Sequence, residues 1–205
     1  KRLIFQDLQD YSVFLGYLKD YLLPKDEEGL RNKLINSENS SKEKDRALKL
    51  LRLNNFADEI ILLAYCLMPN HFHLFLKQKS SQSIDKFIQS LCTRYTMYFN
   101  KKYRRVGSLW QDTYKAVLVM SDVQFIYLSK YIHKQALASQ GVSLRSWIDE
   151  QPSSYPDYLG KRETEWVKPD EILAFFSKNN PNLSYETFVM ENDELETLQG
   201  IVVED

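Results

Sequence analysis

Cysteine is scarce: the 205-residue chain has two, Cys66 and Cys92. Both sit in apolar stretches and read as buried free thiols, a usage that fits a reducing cytoplasm. No run of about 18 apolar residues occurs, which excludes a transmembrane helix and leaves no reason to expect a membrane partner. Lys1 to Asp10 is polar and lacks the apolar stretch of a secretory leader, so none is expected. No internal repeat or long low-complexity tract interrupts the pattern. Histidine is limited to three positions, so any imidazole chemistry must come from His71, His73 and His133. Against these shortages, 43% of the residues are apolar, enough for a sizeable core. The length suits one domain with a small extension.

A net charge of −1 argues, for the chain as a whole, against a nucleic-acid binder. The distribution says otherwise. Residues 1–76 hold 11 basic and 11 acidic side chains, residues 77–134 hold 11 and 3, and residues 135–205 hold 5 and 14. A basic middle beside an acidic tail points to a polyanion partner for one part only. A solvated charged face would give the same pattern, and charge alone does not separate the two.

The hydrophobic pattern gives the order of elements. Asp10 opens a helix with Phe14, Leu15, Leu18, Tyr21 and Leu22 on one face, and Pro24 ends it. Asn36 to Asp45 is polar and reads as a loop, with a short helix over Arg46–Leu53. Glu59 to Met68 is a near-continuous apolar run and reads as a central strand. Pro69-Asn70 is a turn signal, and His71 to Lys77 is the returning strand of a hairpin. Alternation then places Phe72, Leu74 and Leu76 on one face, and His71, His73 and Phe75 on the other. Ser83 caps a helix carrying Ile84, Phe87, Ile88, Leu91 and Tyr95, which ends in the basic stretch Lys101–Arg105. Tyr114 to Met120 reads as a third strand. Ser121 or Asp122 caps a helix running to Ala138, with Gly141 beyond. Strands in antiparallel contact with helices packed on them make an α+β domain. From residue 142 the chain turns acidic, with Trp147, Tyr155, Tyr158, Trp166 and an amphipathic stretch Asp170–Phe176, and reads as a small helical extension.

Two histidines at i and i+2 on a strand point the same way and can bind one divalent metal, although such a pair also occurs in simple packing. His133 has no partner at a useful spacing and reads as structural. On the last long helix, Tyr127, Tyr131 and Gln135 recur every four residues and share a face. Tyrosine can serve as a covalent nucleophile, and a glutamine oxygen can complete a metal site. Tyr127 reads as core. Phe125, Ile126, Leu128 and Ile132 give the helix other apolar residues to bury, so Tyr131 need not be core.

Leu67-Met68-Pro69-Asn70-His71-Phe72-His73-Leu74 resembles the His-hydrophobic-His segment of the HUH single-tyrosine transposases, the insertion-sequence-200-like family with the REP-associated tyrosine transposases as relatives. Gly107-Ser108-Leu109-Trp110-Gln111-Asp112-Thr113-Tyr114-Lys115 is similar to that family's Gly-x-hydrophobic-Trp-Gln-x-x-Tyr/Phe-Lys segment. Tyr131-Ile132-His133-Lys134-Gln135 resembles its Tyr-x-x-x-Gln catalytic helix. Three matches in order are far more specific than one, and the resemblance covers Lys1 to Ala138. Ser153-Ser154-Tyr155 and Asp157-Tyr158-Leu159-Gly160 are similar to a tail of the REP-associated branch. That branch often has Asn-Pro where this chain has Gln135-Ala136, and the glutamine is that of the insertion-sequence branch. The family also has a strand just ahead of a segment like Lys1-Arg2-Leu3-Ile4-Phe5.

The resemblance implies a ferredoxin-like antiparallel sheet with helices packed on it, a nuclease domain over residues 1–140 and an acidic helical extension over 141–205. It implies that Tyr131 attacks a backbone phosphate of single-stranded DNA, often a hairpin, and forms a 5′-phosphotyrosine link. His71, His73 and Gln135 would hold Mg²⁺ or Mn²⁺. Tyr127, spaced as in two-tyrosine initiators, stands as a second nucleophile candidate. Lys101, Lys102, Arg104, Arg105, Lys115, Lys130 and Lys134 are the expected DNA contacts, with Tyr103 and Trp110 as stacking candidates. A homodimer exchanging the tyrosine helix and a monomer are both open. Three rival readings stand beside the transposase: a non-catalytic single-stranded DNA-binding module, a metal phosphoesterase that uses water, and an interaction protein acting through its acidic tail.

Overall fold

The computed structural model describes residues 2–138 and 152–191. Gly141, Trp147 and the acidic end of the chain lie outside the described residues. In chain order the elements are α1 (Leu8–Leu22), α2 (Glu27–Ile35), α3 (Ser41–Arg52), β1 (Ile60–Met68), β2 (His71–Gln78), α4 (Ser83–Lys102), α5 (Asp122–Ala138), then the short helices α6 (Tyr155–Tyr158), α7 (Asp170–Leu173) and α8 (Tyr185–Met190). The class is α+β. No helix among the described residues is long and apolar enough to cross a membrane.

The centre is the β1–β2 antiparallel hairpin, with Met68 opposite His71 across the Pro69-Asn70 turn. A bulge between Leu62 and Ala64 gives β1 one extra residue, so Leu63 and Ala64 both turn to the same side. One face of the hairpin carries Ile60, Leu62, Tyr65 and Leu67, with Phe72, Leu74 and Leu76 from β2. They pack on Phe14, Leu18 and Tyr21 of α1 and on Phe87, Leu91, Tyr95 and Phe99 of α4. The other face carries Leu63, Ala64, Cys66 and Phe75. It is covered by Ile132 and Ala136 of α5 and by Tyr155, Tyr158, Ile172, Tyr185 and Val189. Burial on both sides explains why β1 reads as a continuous apolar run rather than an alternating one. Cys66 and Cys92 are free thiols, and burial pushes each up to about 12.

The outer edge of β1 is not left open. Leu67 N donates to Pro152 O at 2.7 Å, Ser154 N to Tyr65 O at 3.0 Å and Lys168 N to Leu62 O at 2.9 Å. Tyr158 OH donates to Leu63 O at 2.9 Å. Residues 152–168 thus satisfy the backbone of an edge strand that would otherwise expose it.

Three expectations need correction. Tyr114 to Met120 forms no strand and joins no ladder, and Leu118 and Met120 are 77% and 78% exposed. Among the described residues the sheet has two strands, and this segment pairs with neither. The polar stretch after Asn36 is not all loop: α3 begins at Ser41 because Ser40 and Glu43 form a reciprocal capping box. Ser83 is the first residue of α4 rather than its cap, and its hydroxyl donates to Glu59 at 2.7 Å.

One buried charge fixes α1 against α4. Asp10 is fully buried and accepts from Gln6 N (2.8 Å), Tyr98 OH (2.9 Å), Lys102 Nζ (2.7 Å) and Tyr103 OH (2.7 Å). Burial pushes its carboxyl up, but the bonds from Lys102, Gln6 and the two tyrosines outweigh this and leave it below the usual range. Replacing Asp10 by alanine takes this acceptor from Gln6 N and Tyr98 OH, leaves Tyr103 with a 3.5 Å contact to Asp7, and leaves Lys102 bound to Asp7 alone. The Asp10→Ala chain should lose about 3 kcal/mol in urea unfolding; a loss under about 1 kcal/mol would show the network to be dispensable.

Candidate active site

The site lies where the hairpin turn meets α5. Pro69 O accepts from Ile4 N and Phe5 N at 2.8 and 3.1 Å, which ties the turn to the start of the chain. Asn70 Oδ1 stands 2.7 Å from His71 Nδ1 and orients that ring, as outer partners of metal-binding histidines do. In the sequence, the position of Asn70 next to His71 is the signal for this role. His71 is exposed, His73 is half-buried, and their rings meet edge to face with centroids 4.9 Å apart.

The two Nε2 atoms converge to 3.1 Å. Metal–imidazole bonds of about 2.1 Å at a right angle place two nitrogens about 3 Å apart, so this pair has the spacing of two adjacent ligands. Burial, followed by the neighbouring His71 charge, lowers His73 to about 4, so its imidazole is neutral and able to ligate at neutral pH. Among the described residues no group of three or more His, Cys, Asp or Glu side chains could hold a metal. Further ligands to a metal bound by the pair would then be amide, water or phosphate oxygens, donors that suit hard divalent ions.

Tyr131, half-buried on α5, turns its ring edge-on to His73 with centroids 5.6 Å apart. Gln135 is half-buried one helical turn further along the same face. Ser121 O accepts from Phe125 N and Ser121 Oγ from Gln124 N at the start of the helix. Tyr127 faces elsewhere: its ring packs on Phe188, centroids 5.2 Å apart. His133 is fully buried against Ser154 and Tyr185, a structural histidine as expected; burial and then the charge of Arg162 lower it to about 3.

The basic residues divide. Lys101, Arg104 and Lys115 are exposed. Lys102 is instead bound to Asp7 and Asp10, and Arg105 donates to Asn100 Oδ1 at 3.1 Å. Lys134 Nζ donates to Glu191 O at 2.7 Å. Lys130 is 2% exposed with its ammonium 4.5 Å from the centre of the Phe188 ring, so it is not presented to a phosphate in this arrangement. A helix cation with a long apolar stem can bury the stem and find a partner inside the fold, which composition alone does not reveal. The stacking candidates are also occupied. Trp110 donates from Nε1 to Cys92 O at 3.2 Å and packs on Phe72, while Tyr103 packs on Phe99 and donates to Asp10.

The fold and the site define an α+β protein in which a histidine pair on a central hairpin faces a tyrosine on a helix of the opposing layer. The family described as "Transposase IS200 like" matches residues 30–135, more than half of the chain and all of the span from His71 to Gln135. The chain belongs to this family of transposases, DNA-cleaving enzymes whose partner is DNA. No curated protein and no solved structure matches it.

The depressed His73 gives a test with a definite sign. Its folded value of about 4 lies below the ordinary 6.5, so the unfolded chain takes up the proton more readily. Its contribution to stability is complete above pH 6.5 and is lost as pH falls toward 4. Proton NMR of the His73 ring should show a titration midpoint near 4; a midpoint at or above 6.5 would contradict the burial that sets it.

Proposed function

We propose that this chain is a metal-dependent endonuclease and strand-transferase for single-stranded DNA, with Tyr131 as nucleophile and a hairpin as the preferred substrate. The observation that carries the reading is the tyrosine ring lying edge-on to one of two convergent imidazoles, across two elements that the family match spans together. Residues 1–140 supply the chemistry and residues 141–205 its extension.

Tyr131 Oη attacks a backbone phosphorus, and the bond from phosphorus to the 3′-oxygen breaks. The phenol proton is released to solvent and the departing 3′-oxygen takes one up. The products are a 5′-phosphotyrosine and a free 3′-hydroxyl. Because one phosphoester replaces another, a second 3′-hydroxyl can reverse the step on a different strand, joining DNA without hydrolysis. His71, His73 and Gln135 would hold Mg²⁺ or Mn²⁺, which when bound polarises the scissile phosphate and offsets charge developing on its oxygens. His73 is suited to this work because it stays neutral, and Asn70 because it fixes the ring of His71. Edge-on packing against His73 restricts where the Tyr131 ring can swing, which favours in-line attack. Lys101, Arg104 and Lys115 would meet the phosphate backbone.

The test is a denaturing gel of protein incubated with Mn²⁺ and a pool of labelled single-stranded hairpin oligonucleotides, beside a Tyr131→Phe variant. A protein–DNA band that survives denaturation in the wild type and vanishes in the variant is the expected result. A band that persists in the variant moves the nucleophile to another residue. Metal-dependent cleavage with no covalent band supports a water-using phosphoesterase, and binding with neither supports a DNA-binding module.

A further inference from the structure

The second face of α5 carries a polar network that the proposed chemistry does not use. His133 lies two residues beyond Tyr131, about 200° around the helix, and is fully buried. Its Nε2 is 2.8 Å from Ser154 Oγ and its Nδ1 is 2.6 Å from Tyr185 OH. Tyr185 OH donates to Ser129 Oγ at 3.0 Å, and Ser129 Oγ donates to Ile126 O at 2.6 Å. A neutral imidazole donates through one ring nitrogen and accepts through the other, and here each nitrogen has a hydroxyl partner, while the Ser154 hydroxyl also donates to Tyr65 O at 3.3 Å. Ser154 is itself fixed to the central strand: its N donates to Tyr65 O at 3.0 Å and its Oγ accepts from Tyr65 N at 2.9 Å. Tyr65 adjoins Cys66, which lies opposite His73 in the hairpin. Phe188 and Glu191 hold the outer side of α5 through Tyr127, Lys130 and Lys134.

We propose that His133, Ser154 and Tyr185 are positioning residues for the Tyr131 nucleophile: residues 153–191 clamp α5 to the hairpin of the same chain and set where Tyr131 stands relative to His71 and His73. The proposal rests on the reading of Tyr131 given above. The apolar contacts of Ile132 and Ala136 would allow α5 to rotate or slide by a fraction of a turn at small cost, because such contacts are not directional. A buried chain of hydrogen bonds allows no such slip without leaving polar groups unpaired. A displacement of about 1 Å at a reacting group can cost a hundredfold in rate. The tail with Ser154 and Tyr185 is thereby part of the active-site framework, and the site is assembled within one chain.

The test compares wild type with Tyr185→Phe, His133→Phe and His133→Gln, using the same hairpin oligonucleotides and Mn²⁺. Tyr185→Phe keeps the ring packing and removes one hydroxyl. The expected result is a folded protein by circular dichroism, DNA affinity within about twofold of wild type, and covalent adduct forming about tenfold more slowly at saturating DNA. His133→Gln, which keeps a donor and an acceptor, should recover part of the rate that His133→Phe loses. Amide exchange along residues 127–135 should quicken in Tyr185→Phe. If a variant fails to fold, Ser154→Ala replaces it. Folded variants with an unchanged adduct rate and unchanged exchange would overturn the proposal. If wild type forms no adduct, the nuclease reading falls separately, and the clamp is then decided by exchange alone: faster exchange in α5 upholds it and unchanged exchange rejects it.

Discussion

An isolated two-stranded hairpin is marginal in water, and β1 is apolar on both faces, so the hairpin exists only if two layers cover it. That constraint accounts for the rest of the structure. The layer from α1 and α4 takes the face of Phe72, Leu74 and Leu76, and the layer from α5 and residues 153–189 takes the face of Phe75 and Cys66. The two histidines sit at the start of β2, on the face that belongs to α5. Tyr131 of α5 therefore meets the ring of His73 through the same packing that completes the core.

Each layer is also registered by a buried polar group. On one side Asp10 gathers donors from the segment before α1 and from the end of α4. On the other, His133 joins α5 to Ser154 and Tyr185. The two solutions differ in kind. Asp10 keeps its charge because Lys102 stands against it, whereas His133 is neutral and is held by two hydroxyl partners. Both add direction to interfaces whose apolar contacts have none.

Much of this layout was legible in the sequence where a short-range rule decides. The hairpin and the two faces of β2 follow from alternation and from Pro69-Asn70, and the length of α5 follows from periodicity and Ser121. The sequence is silent where a partner decides. Tyr114–Met120 has the β-branched and apolar content of a strand, yet strand formation is decided by pairing and packing, and this segment pairs with neither strand of the described sheet. Lys102 and Lys130 lie in the basic middle of the chain, yet one is taken by carboxylates and the other by an aromatic ring. Trp110 and Tyr103 read as base-stacking candidates until Cys92 O and Asp10 are found beside them. The capping box at Ser40 was a local signal, and its Ser-x-x-Glu spacing was present in a stretch whose polarity alone suggests a loop.

The charge pattern resolves on the same terms. The acidic C-terminal third and the basic middle are not two independent surfaces, because Glu171 binds Lys77 at 2.7 Å and the main chain of Glu191 takes Lys134. The first of these pairs is about half exposed, so it adds little stability and is weakened by salt. What fixes residues 153–191 is instead the apolar cluster around Tyr155, Tyr158 and Ile172 together with the His133 network. The contribution of Glu171 is therefore to the field: it reduces the positive potential beside Lys77 on β2, while Lys101, Arg104 and Lys115 are exposed. A net charge of −1 is then compatible with a DNA-cleaving protein, since a polyanion responds to the local potential along its path and not to the sum over the chain.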